Sequence, residues 1–174
     1  MMYGILFVVI GLACLLWMQN IQKQKQSQPQ YRQEDPSALS AHQIQLIQAS
    51  WQEVIPIKEQ AAKLFYARLF ELDPSVKKLF KGKLDYQGDK LMTTLNVVVN
   101  SLDNLEQVET MLQAMGKRHI IYGVEAAHFE TVGAALLWAL EQGLGDNFTE
   151  EVKEAWVIAY SLIADTMKQA AYGS

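Results

Sequence analysis

From about residue 40 onward, apolar positions recur at spacings of three and four, the period of helix faces rather than strands. Leu46, Trp51 and Val54 set a first amphipathic helix. Ser40-Ala41-His42-Gln43 fits a capping box at its start, with Ser40 as N-cap and Gln43 reaching back. His42, among polar residues in the first turn, is expected to face solvent. Ala61 to Leu72 reads as the next helix, stopped at Asp73-Pro74 because proline lacks a donor and restricts the residue before it. A short turn through Leu79-Phe80 and a corner at Lys81-Gly82-Lys83 follow. The spacing then predicts helices over Asp85 to Leu102 (Leu91, Leu95, Val98, Leu102), Leu105 to His119, and Ala126 to Leu144 (Phe129, Val132, Leu136, Leu140). Thr149 is placed to cap a last helix, with Glu150 and Glu151 favourable to its dipole and Trp156, Tyr160 and Ile163 facing inward. No segment alternates with period two for long. The pattern predicts an all-α domain of six or seven helices over residues 39–174, without an internal repeat.

Ahead of that domain the pattern changes. Residues 1–22 carry no charged side chain, and Tyr3 to Met18 is almost continuously apolar. At 1.5 Å per residue such a helix reaches about 33 Å, against a hydrocarbon core of about 30 Å. Tyr3 and Trp17 sit near the two ends, where amphipathic rings prefer the interface. A cleaved signal peptide is the rival, yet Met1-Met2-Tyr3-Gly4 lacks its basic region and no small-x-small site follows. The run therefore predicts one transmembrane anchor. Lys23, Lys25 and Arg32 beyond it place the domain on the cytoplasmic side. Residues 23–38 read as a linker, because seven Gln between Gln19 and Gln33, with Pro29 and Pro36, leave little to bury.

Charge and cysteine content remove several functions. A net charge of −4 gives no electrostatic case for nucleic acid, which needs clustered Lys and Arg on one face. The single cysteine, Cys14, lies in the N-terminal apolar run. No disulfide framework, zinc quartet or thiolate nucleophile is available to the domain.

One histidine stands out. Val108, Leu112, Met115 and His119 recur at spacings of four, three and four, which puts the imidazole on the core-facing side of its helix. An imidazole buried there without a partner costs roughly 1–3 kcal/mol. Its partner is either a backbone carbonyl or a metal.

Four segments, in order, resemble a known family. Leu64-Phe65-Tyr66-Ala67-Arg68-Leu69-Phe70, with Pro74 and Leu79-Phe80, resembles the second and third helices of bacterial single-domain globins and flavohaemoglobin haem domains. Gln87-Gly88-Asp89-Lys90-Leu91-Met92 resembles the start of their distal helix. Gly116 to Val124, through Lys117-Arg118-His119, followed by Ala127-His128-Phe129, resembles their proximal segment. The likeness covers everything after the linker.

The resemblance implies a globin fold around haem b, preceded by the transmembrane helix. It implies His119 as the iron ligand, Phe80 packed on the porphyrin, and Tyr66 and Gln87 as the distal pair. It also implies Leu91 pressing on the ligand, Lys90 near a haem propionate and Tyr160 near the pocket. Read without the family, Tyr66 and Phe80 equally fit core aromatics, Gln87 a solvated helix residue, and His128 a structural residue at a helix start. O2 is the implied ligand, with NO and CO beside it. A tyrosine hydroxyl aimed at a polarised O2 makes a charge-assisted bond worth about 1.5–3 kcal/mol. A nitric oxide dioxygenase served by a separate reductase is the enzymatic alternative, and a haem-based gas or redox sensor a further one. Two departures weigh against the enzyme: Phe129 stands in the place of the tyrosine, and Ala171 in that of the glutamate, of the network that strengthens the proximal histidine in flavohaemoglobins.

Overall fold

Satisfied helix ends set the frame of the domain. In the structure, a computed structural model that describes residues 39–173, Ser40 Oγ accepts from the Gln43 backbone N–H and Gln43 Oε1 from that of Ser40. This capping box opens α1, Ala41–Val54. A 3-10 turn, Ile55–Ile57, carries the chain almost without a break into α2, Lys58–Leu72. Helix α2 thus begins three residues before Ala61. Pro56 sits in the first positions of the 3-10 turn, where its missing donor costs nothing, so it marks a tightening and not a stop. Asp73 ends α2, its side chain accepting from the Ser75 N–H, and a second 3-10 turn spans Pro74–Leu79.

Helix α3 runs Leu84–Asn100 and α4 Leu105–Ile121. Leu102, expected inside α3, lies just beyond it and is still buried. Helix α5 runs His128–Leu144, starting two residues after Ala126 because residues 125–127 form turns. A third 3-10 turn, Gly145–Asn147, leads to α6, Glu150–Tyr172, where Thr149 Oγ1 accepts from the Val152 N–H. Gly145, at φ +53°, makes the reversal that a side chain would strain. Among the described residues the fold is all-α, with six α-helices.

The helices pack in a chain of pairs: α4 on α6, α2 on α5, α2 on α3, and α1 on α6. Ile47, Trp51, Val54, Leu69 and Val99 are the largest of its fully buried side chains. Two close approaches draw the helices together. A Cβ on Gly116 would fall 2.3 Å from the Met167 carbonyl oxygen, so glycine is what lets α4 lie against α6. A Cβ on Gly133 would fall 2.4 Å from Cε1 of Tyr160, which fixes the crossing of α5 and α6.

Helices α3 and α4 follow one another through residues 101–104 yet touch only marginally. His119 belongs to the second of these two helices. The anchor read over residues 1–22 and the linker over 23–38 lie outside the described residues. Among the described residues, no helix is long and apolar enough to cross a membrane.

Candidate functional site

His119 occupies the last turn of α4 and is half-buried. Its Nδ1 lies 2.8 Å from the Met115 carbonyl oxygen, one turn earlier. A carbonyl can only accept, so in the neutral ring Nδ1 carries the proton and Nε2 the lone pair. Nε2 has no hydrogen-bond partner among the described residues. The sequence left a carbonyl and a metal as alternatives for this ring. The carbonyl takes one nitrogen and leaves the other free to coordinate.

The corner after His119 is tied down from several sides. The backbone N–H groups of Tyr122 and Val124 both donate to the His119 carbonyl, at 3.1 and 3.0 Å. Gly123, at φ +82°, turns the chain there, a conformation that favours glycine. From the end of α6, the Tyr172 hydroxyl donates to the Val124 carbonyl at 2.5 Å. The rings of Tyr122 and Phe129 lie 6.2 and 6.5 Å from the imidazole.

Tyr66 is buried on α2 inside an aromatic cluster. Phe65 and Phe80 meet it edge-on at 5.0 and 5.2 Å, and Phe70 lies tilted at 5.8 Å. Its hydroxyl makes no hydrogen bond to a described residue, and burial pushes its pKa up to about 12. Phe80 also stacks edge-on with Phe70, at 5.6 Å.

The expected Tyr66–Gln87 pair is not formed. Gln87 Nε2 instead donates to the Lys81 carbonyl at 3.0 Å. Only residues 81–83 separate Phe80 from the start of α3, and this short corner leaves a carbonyl within reach of the first helical turn. Lys90 is exposed, its Nζ 4.4 Å from the centre of the Tyr86 ring. Leu91 and Tyr160 line an apolar cavity of about 90 Å³ with Phe65, Leu95, Val132 and Trp156. His119, Tyr66, Gln87 and Phe80 do not line it. The Tyr160 hydroxyl donates to the Phe129 carbonyl, and burial holds its pKa above the ordinary tyrosine range.

The other two histidines are committed elsewhere. His42 Nε2 meets Glu151 Oε1 at 2.9 Å, joining the first turns of α1 and α6, a partner the sequence did not reveal. His128 Nδ1 accepts from the Glu125 N–H at 2.9 Å and so caps the start of α5.

A globin-family model matches residues 63–167. The chain belongs to the globin family. It is 30% identical over 146 residues to neuroglobin-1 of Oncorhynchus mykiss, covering 75% of this chain and 91% of that protein. Neuroglobin of Danio rerio is 31% identical over 137 residues, covering 70% and 86%. The crystal structure of a hexacoordinated heme protein from an anhydrobiotic tardigrade, at pH 4, superposes with a TM-score of 0.70. It is 24% identical, covers 76% of this globin and 95% of that chain, and shows the shared fold. These relatives carry the family and not its bacterial branch, so the expected bacterial single-domain globin narrows to a globin.

Three features of this globin's site escaped the sequence: the Met115 carbonyl, the Tyr172–Val124 bond, and the turn of Gln87 toward Lys81. Met115 precedes His119 by four positions, a spacing that brings its carbonyl under the ring; the other two had no signal. No carboxylate hydrogen-bonds the imidazole among the described residues.

Proposed function

We propose that this globin binds a diatomic gas reversibly, O2 first and NO and CO beside it, at haem iron held by His119. The observation that carries the reading is the imidazole itself. Nδ1–H is held by the Met115 carbonyl, and Nε2 is left without a hydrogen bond to a described residue in the last turn of α4. A neutral imidazole with its second nitrogen so oriented suits iron. When bound, haem would supply an iron able to take up a diatomic gas. The donor, a neutral imidazole with one nitrogen free, fits this group. The lone cysteine, Cys14, makes no Cys-x-x-Cys-His attachment, which favours non-covalent haem of the b type.

The remaining roles belong to side chains. Phe80, on the corner between α2 and α3, offers an aromatic face, and Leu91, further along α3, an apolar one. Tyr66 brings a hydroxyl that makes no hydrogen bond to a described residue and, like any phenol, is protonated at neutral pH, and is therefore a donor for a polarised ligand. Lys90, at the exposed start of α3, is the cation assigned to a propionate. Gln87 joins Tyr66 only by leaving the Lys81 carbonyl, a rotation of one exposed side chain. The hexacoordinated state named for the tardigrade protein does not carry over: α3 of this globin contains no histidine, and an amide such as that of Gln87 is a poor iron ligand.

A gas-binding role is favoured over nitric oxide dioxygenase because the partner of the proximal imidazole is a neutral carbonyl, which strengthens the ring as a donor less than a carboxylate does. Membrane attachment is supported by the apolar residues 1–22. The chain is expected to sediment with membranes, and removal of that run to release it.

An absorption spectrum tests the central reading. The full chain loaded with haemin is expected to show a Soret band, lost or much weakened in His119→Ala. A colourless protein, or an unchanged spectrum in the variant, overturns it.

A further inference from the structure

Charge is divided unevenly along this globin. The chain carries −4, with 19 acidic side chains in all. Yet Pro74–Leu84 holds Lys77, Lys78, Lys81 and Lys83 without an acid, and Leu112–Val124 holds Lys117 and Arg118, again without one. The two segments touch, since Leu79 Cδ2 lies 3.5 Å from where a Cβ on Gly123 would stand. All six cations are exposed, and none forms an ion pair with a described residue. Asp73, the acid just before the first segment, is already committed to the Ser75 N–H. The α4 dipole suits Lys117 and Arg118 near its negative end, which accounts for those two and not for the four lysines beside them.

Next to these cations stand Ile120, Ile121 and Tyr122, at 42, 80 and 61% exposure. Apolar side chains left together at a surface mark an interaction site. Their order says of what kind. Successive residues of a helix point about 100° apart, so three in a row splay around the end of α4 instead of lining one facet. A folded protein partner offers one facet. A fluid lipid layer closes around a splayed tip, taking isoleucine at the acyl boundary and tyrosine at the headgroup level.

We propose that this end of the domain docks on an anionic lipid surface, with Ile121 and Tyr122 inserted among the headgroups and the six cations against the phosphates around them. Charge complementarity fixes the orientation: the surface that attracts these two segments repels the acidic remainder of the chain. The membrane attachment proposed for residues 1–22 brings a bilayer within reach, since a linker over residues 23–38 spans at most about 55 Å. The docking draws on that attachment and requires nothing of haem.

The test uses the full chain reconstituted in vesicles, with Cys14→Ala and a polarity-sensitive dye on Ile121→Cys. At low salt, doxyl lipid is expected to quench the dye in vesicles containing phosphatidylglycerol and not in pure phosphatidylcholine. The same dye on Glu154→Cys is expected to stay unquenched in both. Tyr172 holds Val124 at the docking end, and Glu154 lies about 27 Å back along α6. Each cation near an anionic surface contributes about a fivefold factor, so Lys78→Gln with Lys117→Gln should lower the ratio of docked to undocked domain about twenty-fivefold. Lys58→Gln with Lys63→Gln changes the net charge equally but lies outside both segments, and should leave the ratio within about twofold. Salt at about 1 M, where screening acts beyond about 3 Å, is expected to release the domain.

Equal quenching in both lipids, none included, or equal losses in the two lysine pairs, overturns the proposal. So does a dye shift that grows with protein density without doxyl quenching, which would give the face to a second copy. A chain that fails to float with phosphatidylcholine vesicles defeats the attachment by residues 1–22 instead. Flotation with phosphatidylglycerol vesicles, lost in Lys78→Gln/Lys117→Gln, would then still uphold the docking, and its absence would end it.

Discussion

At the residue scale, Tyr66 unites a stability argument and a functional one. Its phenol ionises near 10.0 in an unfolded chain and is pushed up to about 12 by burial in the fold. Between those values the folded state holds a proton that the unfolded state has released. The stability this represents is fully present below pH 10 and is lost as pH rises through 12. The loss amounts to about 1–3 kcal/mol. Tyr160 acts in the same direction, so Tyr66→Phe is expected to shallow, and not abolish, the alkaline fall seen by urea denaturation at stepped pH. A fall of unchanged steepness in the variant would remove Tyr66 from the account. Functionally, the protonated hydroxyl is expected to hold O2 more than CO, because CO carries less charge. Tyr66→Phe should speed O2 release roughly ten- to a hundredfold and CO release little. Equal effects on both would take Tyr66 out of the ligand's reach. Single residues were the least legible part of the sequence. The imidazole of His119 followed from a helical stripe, since its partner lies one turn away on the same helix. The Gln87 contact did not, because a side-chain rotamer at a three-residue corner is chosen by a carbonyl that no periodicity reveals.

At the element scale, the helices were legible and their ends less so. Apolar spacing names a face, and every inward-facing residue read from α5 and α6 is buried or half-buried in the core: Phe129, Val132, Leu136, Leu140, Trp156, Tyr160 and Ile163. Where side-chain chemistry closes an end, as at Ser40 and Thr149, the boundary was legible too. It failed where two helices meet through a tight turn: α2 was expected from Ala61, yet it starts at Lys58, straight after the 3-10 turn that accommodates Pro56. Polar contacts inside the core were also hidden. Trp51 Nε1 donates to Asn96 and Trp156 Nε1 to Ser50, bonds between elements that sequence distance conceals. Close helix approach gives the firmest prediction at this scale. In Gly116→Ala the new methyl would meet the Met167 carbonyl, a backbone atom that no rotamer change can move aside. The expected cost is about 1–3 kcal/mol, read as a lowered urea midpoint with an unchanged slope. Because Gly116 lies one turn before His119, the displaced α4 should also release haem faster to apomyoglobin. A destabilised variant with unaltered haem loss would separate the α4–α6 contact from the site.

At the scale of the whole molecule, the supply of histidines bears on whether haem held as proposed could take a second imidazole. The chain has three, and only His119 belongs to α4. His42 is fixed to Glu151 where the first turns of α1 and α6 meet, so a move toward the site would break an interhelical contact and unwind a capped end. His128 holds the Glu125 N–H and opens α5. Helix α3 contains no histidine at all. A second imidazole therefore has no route to iron that leaves the helices intact. The ligand-free ferrous globin is expected to be five-coordinate and high-spin, with one broad visible band. It should bind CO in a single phase whose rate rises linearly with CO concentration, because no internal ligand has to leave first. Two sharp visible bands without added ligand, or a rate that saturates with CO, would mean that some side chain occupies the open position. His42→Ala and His128→Ala would then tell whether either histidine had left its anchor, while an unchanged spectrum in both would point to a non-histidine group on α3.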